Sequence, residues 1–294
     1  MMSIFRIIKF IISHPLATKN KRMALKRFIF FQIAKLFNPY PIVYSFTNKT
    51  KLIVERGMSG ATGNIYCGLH EFEDMSFLLH FLRREDTFID IGANIGSYTI
   101  LASGHVGASS LSIEPVPSTF SRLQDNIMIN RLEQKVRALN LAAGSKSEKL
   151  KFTKNLDTVN HVFFGASEEG VVEVKVESLD MIKQNMDPVL IKIDVEGYEY
   201  EVLKGATDTL SNEKLKAIII EINGSGEKYG VTDEEVHKIL MQYKFEPFAY
   251  DPYTRELKAL DTFTDKNTIY IRDLAFVNMR VQEGPFFQSL GLII

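Results

Sequence analysis

The stretch Phe88-Ile89-Asp90-Ile91-Gly92-Ala93-Asn94-Ile95-Gly96-Ser97-Tyr98-Thr99 decides how this chain is read. An apolar strand ends in a carboxylate, the chain turns through two glycines, and a helix begins. In open α/β sheets, ligands bind outside the carboxyl ends of strands, beside a turn of this kind. Glycine there permits positive φ and lets the backbone approach a ligand closely. Working outward, short apolar runs at 87–91, 109–113, 135–141, 189–193, 217–222 and 268–272 read as strands. The segments between the first three carry helical spacing. Over 118–131, for example, Phe120, Leu123 and Ile127 share a face. Near-continuous apolar strands separated by helices predict a parallel sheet covered on both faces. Residues 145–178 differ, with β-rich pieces at 151–153 and 171–176 around a polar loop, as in a hairpin insertion.

Glycine spacing discriminates among ligands. A dinucleotide site wants Gly-x-Gly-x-x-Gly, whose backbone N–H groups face a pyrophosphate. Here the pattern from Asp90 to Gly96 is Asp-x-Gly-x-Asn-x-Gly, and no Gly-x-x-x-x-Gly-Lys-Ser/Thr loop occurs. A carboxylate facing the ligand would repel pyrophosphate but suits a cationic amino group or a sulfonium. S-adenosylmethionine carries both. The next strand ends at Glu114, eighteen residues beyond Gly96. An acid about 20 residues on, ending the second strand, fits a ribose diol through two charge-assisted hydrogen bonds. Pro115 then stops the strand.

Composition sets outer limits. The 294 residues are 45% apolar and 24% charged, which is ordinary globular usage and excludes a disordered or fibrous chain. The single cysteine, Cys67, excludes an internal disulfide framework and a four-thiolate zinc site. The histidines show no metal-ligand spacing; His70, just before Glu71-Phe72-Glu73, reads as a surface residue with the mouth of the site as the alternative, and His161, in the polar insertion, as a candidate to face an acceptor. Asn38-Pro39-Tyr40 and Asp251-Pro252-Tyr253 lack the double proline of amino-methylating nucleic-acid enzymes and read as turns.

Charge is unevenly spread. Residues 1–60 hold eleven basic residues and one acid, Glu55, while the rest of the chain is acidic. Residues 1–50 are read as a basic helical extension, with an amphipathic first helix and a second near 23–37. Residues 51–294 are the main domain. Ile4, Ile7, Ile8, Ile11 and Ile12 form a stripe, followed by Lys19, Lys21, Arg22, Lys26 and Arg27. An apolar stripe beside a cationic patch fits peripheral membrane contact through residues 1–35. The same stripe would also dock on the chain's own sheet or on a second subunit of a homo-oligomer. No run reaches the ~20 apolar residues of a spanning helix, and no export signal is visible, so a cytoplasmic location is expected.

Several further stretches join the first: Glu114-Pro115 with Phe120, Leu123, Asn126 and Asn130, then Asn140-Leu141-Ala142-Ala143-Gly144 and Ser178-Leu179-Asp180. The most specific is Ile191-Lys192-Ile193-Asp194-Val195-Glu196-Gly197-Tyr198-Glu199, with Val202, Leu203 and Gly205. With these residues the chain resembles the FkbM-type S-adenosylmethionine-dependent methyltransferases over roughly residues 60 to 225. The resemblance implies an α/β, Rossmann-like class I methyltransferase fold: a mostly parallel seven-stranded sheet with helices on both faces, here carrying an N-terminal helical extension. It implies methyl transfer to oxygen, on a hydroxyl of a small molecule, sugar or glycan. Asp90, Gly92, Asn94, Gly96 and Glu114 are then expected to hold the cofactor, and Asn140, Ala142 and Ala143 to frame its adenine.

A hydroxyl is a poor nucleophile at neutral pH, so a base or metal is expected at the end of the fourth strand. Lys192, Asp194 and Glu196 fall there and would share one side if the strand stays extended. Glu221, ending the next strand, could join Asp194 as a ligand for Mg²⁺. Two rivals remain at this stage. A silent adaptor with this fold need not keep the cofactor residues, and a nucleic-acid methyltransferase should show a basic face near its site, where this chain is acidic.

Overall fold

The computed structural model describes residues 4–38, 40–55, 58–154, 160–165 and 169–294. Met1 to Ser3, Pro39, Arg56, Gly57 and, in the polar insertion, residues 155–159 and 166–168 lie outside the described residues. After three helices, Ile4–Ser13, the short Pro15–Thr18 and Lys21–Phe37, a hairpin of β1 (Ile42–Ser45) and β2 (Lys51–Val54) leads toward the sheet. The sheet strands are β3 (Thr87–Ile91), β4 (Ser109–Ile113) and β5 (Val136–Leu139), then, beyond a separate three-stranded sheet, β9 (Leu190–Ile193) and β10 (Ala217–Glu221). That separate sheet comprises β6 (Ala142–Gly144), β7 (Glu148–Thr153) and β8 (Val171–Ser178). The chain closes the main sheet with β11 (Glu246–Asp251), β12 (Glu256–Ala259) and β13 (Asn267–Ile271).

The main sheet runs β12-β11-β13-β10-β9-β3-β4-β5. β5, β4, β3, β9 and β10 are parallel, and β13, β11 and β12 join antiparallel at one edge. The expected seven strands are thus present, and β12 adds an eighth as the outer arm of a hairpin with β11. The strand order reverses between β3 and β9, which opens a crevice at their carboxyl ends. Phe88 to Ile91 and all of β9 are buried, as strands covered by helices on both faces require. The 145–178 insertion forms a hairpin, β7 against β8, as expected.

Residue 50 lies inside the β1–β2 hairpin. Phe28 and Phe31 of the Lys21–Phe37 helix join one hydrophobic cluster with Phe77 and Phe88 of the main body, so packing is continuous across that point. Two asparagines one turn apart on the Pro117–Ile129 helix and at its end fasten β2. Asn126 Oδ1 accepts from Ile53 N at 2.7 Å, and Asn130 exchanges two 2.8 Å bonds with the Lys51 backbone. Asn126 Nδ2 also donates to Ile95 O at 2.9 Å, which ties this helix to the glycine loop.

Candidate active site

A cavity of about 420 Å³ opens at the carboxyl ends of β3, β4, β9 and β10. Asp90, Gly92, Asn94, Glu114, Ala142 and Ala143 line one part of it; Lys192, Asp194, Glu196 and Glu221 line another. Gly96 and Asn140 do not line it. They act on its shape: a Cβ on Gly96 would lie 2.5 Å from Leu123 Cδ1, and Asn140 Nδ2 donates to Glu114 O and Pro115 O at 2.9 Å each.

The glycine loop is fixed by its backbone. Gly92 N and Ala93 N donate to Ile113 O at 3.0 and 2.9 Å, locking the end of β3 to β4. Gly92 has φ of +78°, and a Cβ there would fall 1.8 Å from Asp194 O. Only glycine lets the β3 and β9 loops approach this closely. Asp90 is 1% exposed, and its Oδ2 accepts from Thr99 N at 3.1 Å and Thr99 Oγ1 at 2.7 Å. Glu114 accepts from Asn94 N and Val116 N, one on each oxygen, at 2.9 Å. Burial pushes the Glu114 carboxyl up to about 7, against these two bonds. Both bonds to Asp90 fall on Oδ2, and each Glu114 oxygen takes only one, so both acids order the loops and retain acceptor capacity toward the cavity.

At the other end, Lys192 is buried and donates to Asp194 Oδ2 at 2.8 Å. Burial alone would lower the Lys192 pKa, but the charges of Asp194, Glu71 and Asp90 outweigh it and hold the ammonium protonated. Lys192 therefore cannot act as a base near neutrality. Extension does not persist past β9. Glu196 takes a left-handed φ of 55°, and the chain turns at once, held by Glu199 Oε1, which accepts from Val195 N and Gly197 N at 3.1 Å. The turn still leaves Glu196 lining the cavity. Asp194, Glu196 and Glu221 each bring a carboxylate oxygen within 4.8 Å of the others. Burial, then the Asp194 charge, raises Glu196 to about 7 and Glu221 to about 8. The Lys192 ammonium already offsets the Asp194 charge through Oδ2, so the negative charge left for a hard dication comes chiefly from Glu196 and Glu221.

Other lining residues escape sequence reasoning. Tyr98 Oη donates to Glu71 Oε2 at 2.7 Å, and Lys192 Nζ lies 4.8 Å from the Tyr98 ring centroid. His70 lines the cavity, as the alternative reading at its mouth had it, while Asn160, not its neighbour His161, represents the insertion there together with Phe152. Asn160 and Phe152 carry no sequence signal beyond their place in the β-rich insertion. Cys67 is buried, and burial pushes its thiol up to about 12, so it is unreactive. Asp251 Oδ1 accepts from Tyr253 N at 2.8 Å, so Asp251-Pro252-Tyr253 is the β11–β12 turn.

A switch-point crevice with a carboxylate on the glycine loop and another ending the second strand defines the Rossmann-like fold of S-adenosylmethionine-dependent methyltransferases. The sequence matches the methyltransferase FkbM domain over residues 90–247, more than half of the chain, and the chain belongs to that family of methyltransferases. It is 31% identical to the hexuronic acid methyltransferase AglP of Haloferax volcanii over 177 residues, 59% of this chain and 69% of that protein. It is 30% identical to Methyltransferase 1 of Beauveria bassiana over 150 residues, 42% of this chain and 60% of that protein. Among solved structures, TYW2 of P. horikoshii in complex with MeSAdo aligns over 88% of this chain and 84% of that one, at 14% identity and a TM-score of 0.44, which says nothing of activity.

Proposed function

We propose that this protein transfers a methyl group from S-adenosylmethionine to a hydroxyl of a sugar, glycan or similar small polyol. The carrying observation is the single cavity that joins the Asp90 and Glu114 carboxylates to the Asp194, Glu196 and Glu221 cluster. When bound, S-adenosylmethionine supplies an electrophilic methyl on a cationic sulfonium. Asp90 and Glu114 would hold its polar groups, Ala142 and Ala143 would leave room for a flat base, and the acidic lining favours its positive charge. Holding acceptor and donor in line supplies about 7–11 kcal/mol of the barrier.

The chain's own residues then handle the proton. Lys192 fixes Asp194 in one orientation. Glu196 and Glu221, raised toward neutrality, can each hold or release a proton at working pH. A hydroxyl beside them can donate its proton to a carboxylate oxygen as the oxygen becomes nucleophilic. The similarity to a hexuronic acid methyltransferase supports a sugar as acceptor. The acidic walls favour the neutral hydroxyl face of such a sugar over its carboxylate.

The test is incubation of pure protein with methyl-labelled donor and a panel of hexoses, hexuronic acids and their oligosaccharides. Label fixed to a sugar hydroxyl oxygen supports the reading. Label on the hexuronic carboxylate alone, or on none of the sugars, would overturn it.

A further inference from the structure

We propose that the outer face of the Lys21–Phe37 helix docks onto an anionic membrane surface. The helix is already anchored by its inner face. Ala24, Phe28 and Phe31 are buried, and the Phe28 and Phe31 rings meet Tyr66 edge-on at 5.2 and 5.8 Å. Its other side therefore does not serve the fold. There Ile29, Phe30, Ile33, Leu36 and Phe37 recur at helical spacing and all are exposed, Phe30 by 75%, Leu36 by 78% and Phe37 by 83%. Scattered apolar residues on a surface are ordinary; a contiguous row of this size marks an interaction site.

Charge selects the occupant. Arg22 and Lys26 continue the same side of the helix toward its start, and both are exposed. Residues 4–38 contain eight basic residues and no acidic one. A second copy of this chain would set the same eight cations against these. An anionic lipid surface neutralises them, while its acyl boundary receives the phenylalanines and isoleucines. The first helix contributes less than its sequence suggests. Its stripe mostly docks on the protein itself, with Ile11 buried and Ile7 and Ile8 packed against the core, which leaves Ile4 and Phe5 at its exposed tip. Among the described residues no helix is long and apolar enough to cross a membrane, so the contact is peripheral.

The contact also has a place relative to the cavity. The Ser59–Cys67 helix takes Phe28 and Phe31 against Tyr66, and it lines the cavity with Ala61 and Asn64. Docking would hold the cavity one helix layer from the lipid.

The experiment is flotation of the full chain with phosphatidylcholine vesicles, alone or containing phosphatidylglycerol, at low and high salt. Flotation with the anionic vesicles only, weakened by salt, is expected. Two double variants at exposed positions, Phe30→Glu with Ile33→Glu and Arg22→Glu with Lys26→Glu, should each cut partitioning roughly tenfold or more. Their circular dichroism should match the parent, since none of the four residues is buried. Absence of flotation at low salt would overturn the proposal. So would sedimentation showing a dimer that the Phe30→Glu, Ile33→Glu variant dissociates while vesicle binding is undetectable.

Discussion

Lys192 Nζ lies 2.8 Å from Asp194 Oδ2, so a buried ammonium and a cavity carboxylate share the end of β9. The lysine side chain is 4% exposed and the aspartate 28%, which makes Asp194 the more accessible partner from the cavity that both line. Replacing Asp194 by Asn keeps an acceptor for Lys192 but removes the charge. Turnover is expected to collapse while cofactor affinity changes little, because the lost interaction belongs to the transition state. Leaving the ammonium without its counter-charge should also lower Tm. Single-turnover kinetics and a melt on the same sample check both; wild-type turnover in Asp194→Asn would remove it from the chemistry.

Two glycines with the same backbone conformation should respond differently to alanine. Gly92 has φ of +78° and Asp194 O 1.8 Å from the Cβ position, whereas Gly224 has φ of +80° and nothing within 4 Å. Gly224→Ala should cost only the left-handed strain, about 1–2 kcal/mol, with donor binding intact. Gly92→Ala must also push the β3 and β9 loops apart. It should lose donor binding and a larger share of stability, as calorimetric titration and thermal melts would register.

Much of this arrangement is legible along the chain, and the exceptions have physical reasons. The six apolar runs became β3, β4, β5, β9, β10 and β13 because strands covered on both faces need continuous apolar sequence. β11 and β12 are invisible to that rule: β11 contains Pro247 and alternates in burial, and β12 is an exposed edge. The meeting of Asp194 with Glu221 follows from strand-end logic, since β9 and β10 are parallel neighbours. The left-handed turn at Glu196 does not, because glutamate rarely adopts that φ and only the Glu199 clasp stabilises it here. Tyr98 with Glu71 is a pairing across 27 residues that no local pattern announces.

Activity and stability should move in opposite directions with pH. Glu196 and Glu221 are raised to about 7 and about 8 by burial and by Asp194, so the ionised base is lost as pH falls through that window. For stability, a carboxyl raised above its ordinary value of 4.5 binds more protons folded than unfolded. Stability therefore falls as pH rises from about 4.5 toward 8, over the interval between unfolded and folded values. A pH–rate profile should climb across neutrality while Tm declines, and Glu221→Gln should flatten the Tm slope. Activity independent of pH down to about 5 would contradict a carboxylate base with these raised values.

Chelation separates base from metal at the same carboxylates. Because Lys192 already balances Asp194, full activity is expected after exhaustive EDTA treatment. Loss of activity that Mg²⁺ restores would instead make ligands of Asp194, Glu196 and Glu221.

The most direct measurement is calorimetric titration of S-adenosylmethionine into the wild-type protein and into Asp90→Asn and Glu114→Gln. Gln at 114 still offers one acceptor to the Asn94 and Val116 amides, so it tests ligand binding with less damage to the loop than Ala would cause. Each replacement removes a charge-assisted hydrogen bond worth about 1.5–3 kcal/mol, so affinity should drop roughly tenfold or more in each variant. Saturable binding to the wild type that weakens in both variants is the expected result. No binding to the wild type, or equal affinity in all three proteins, would contradict the assignment of this cavity to the methyl donor.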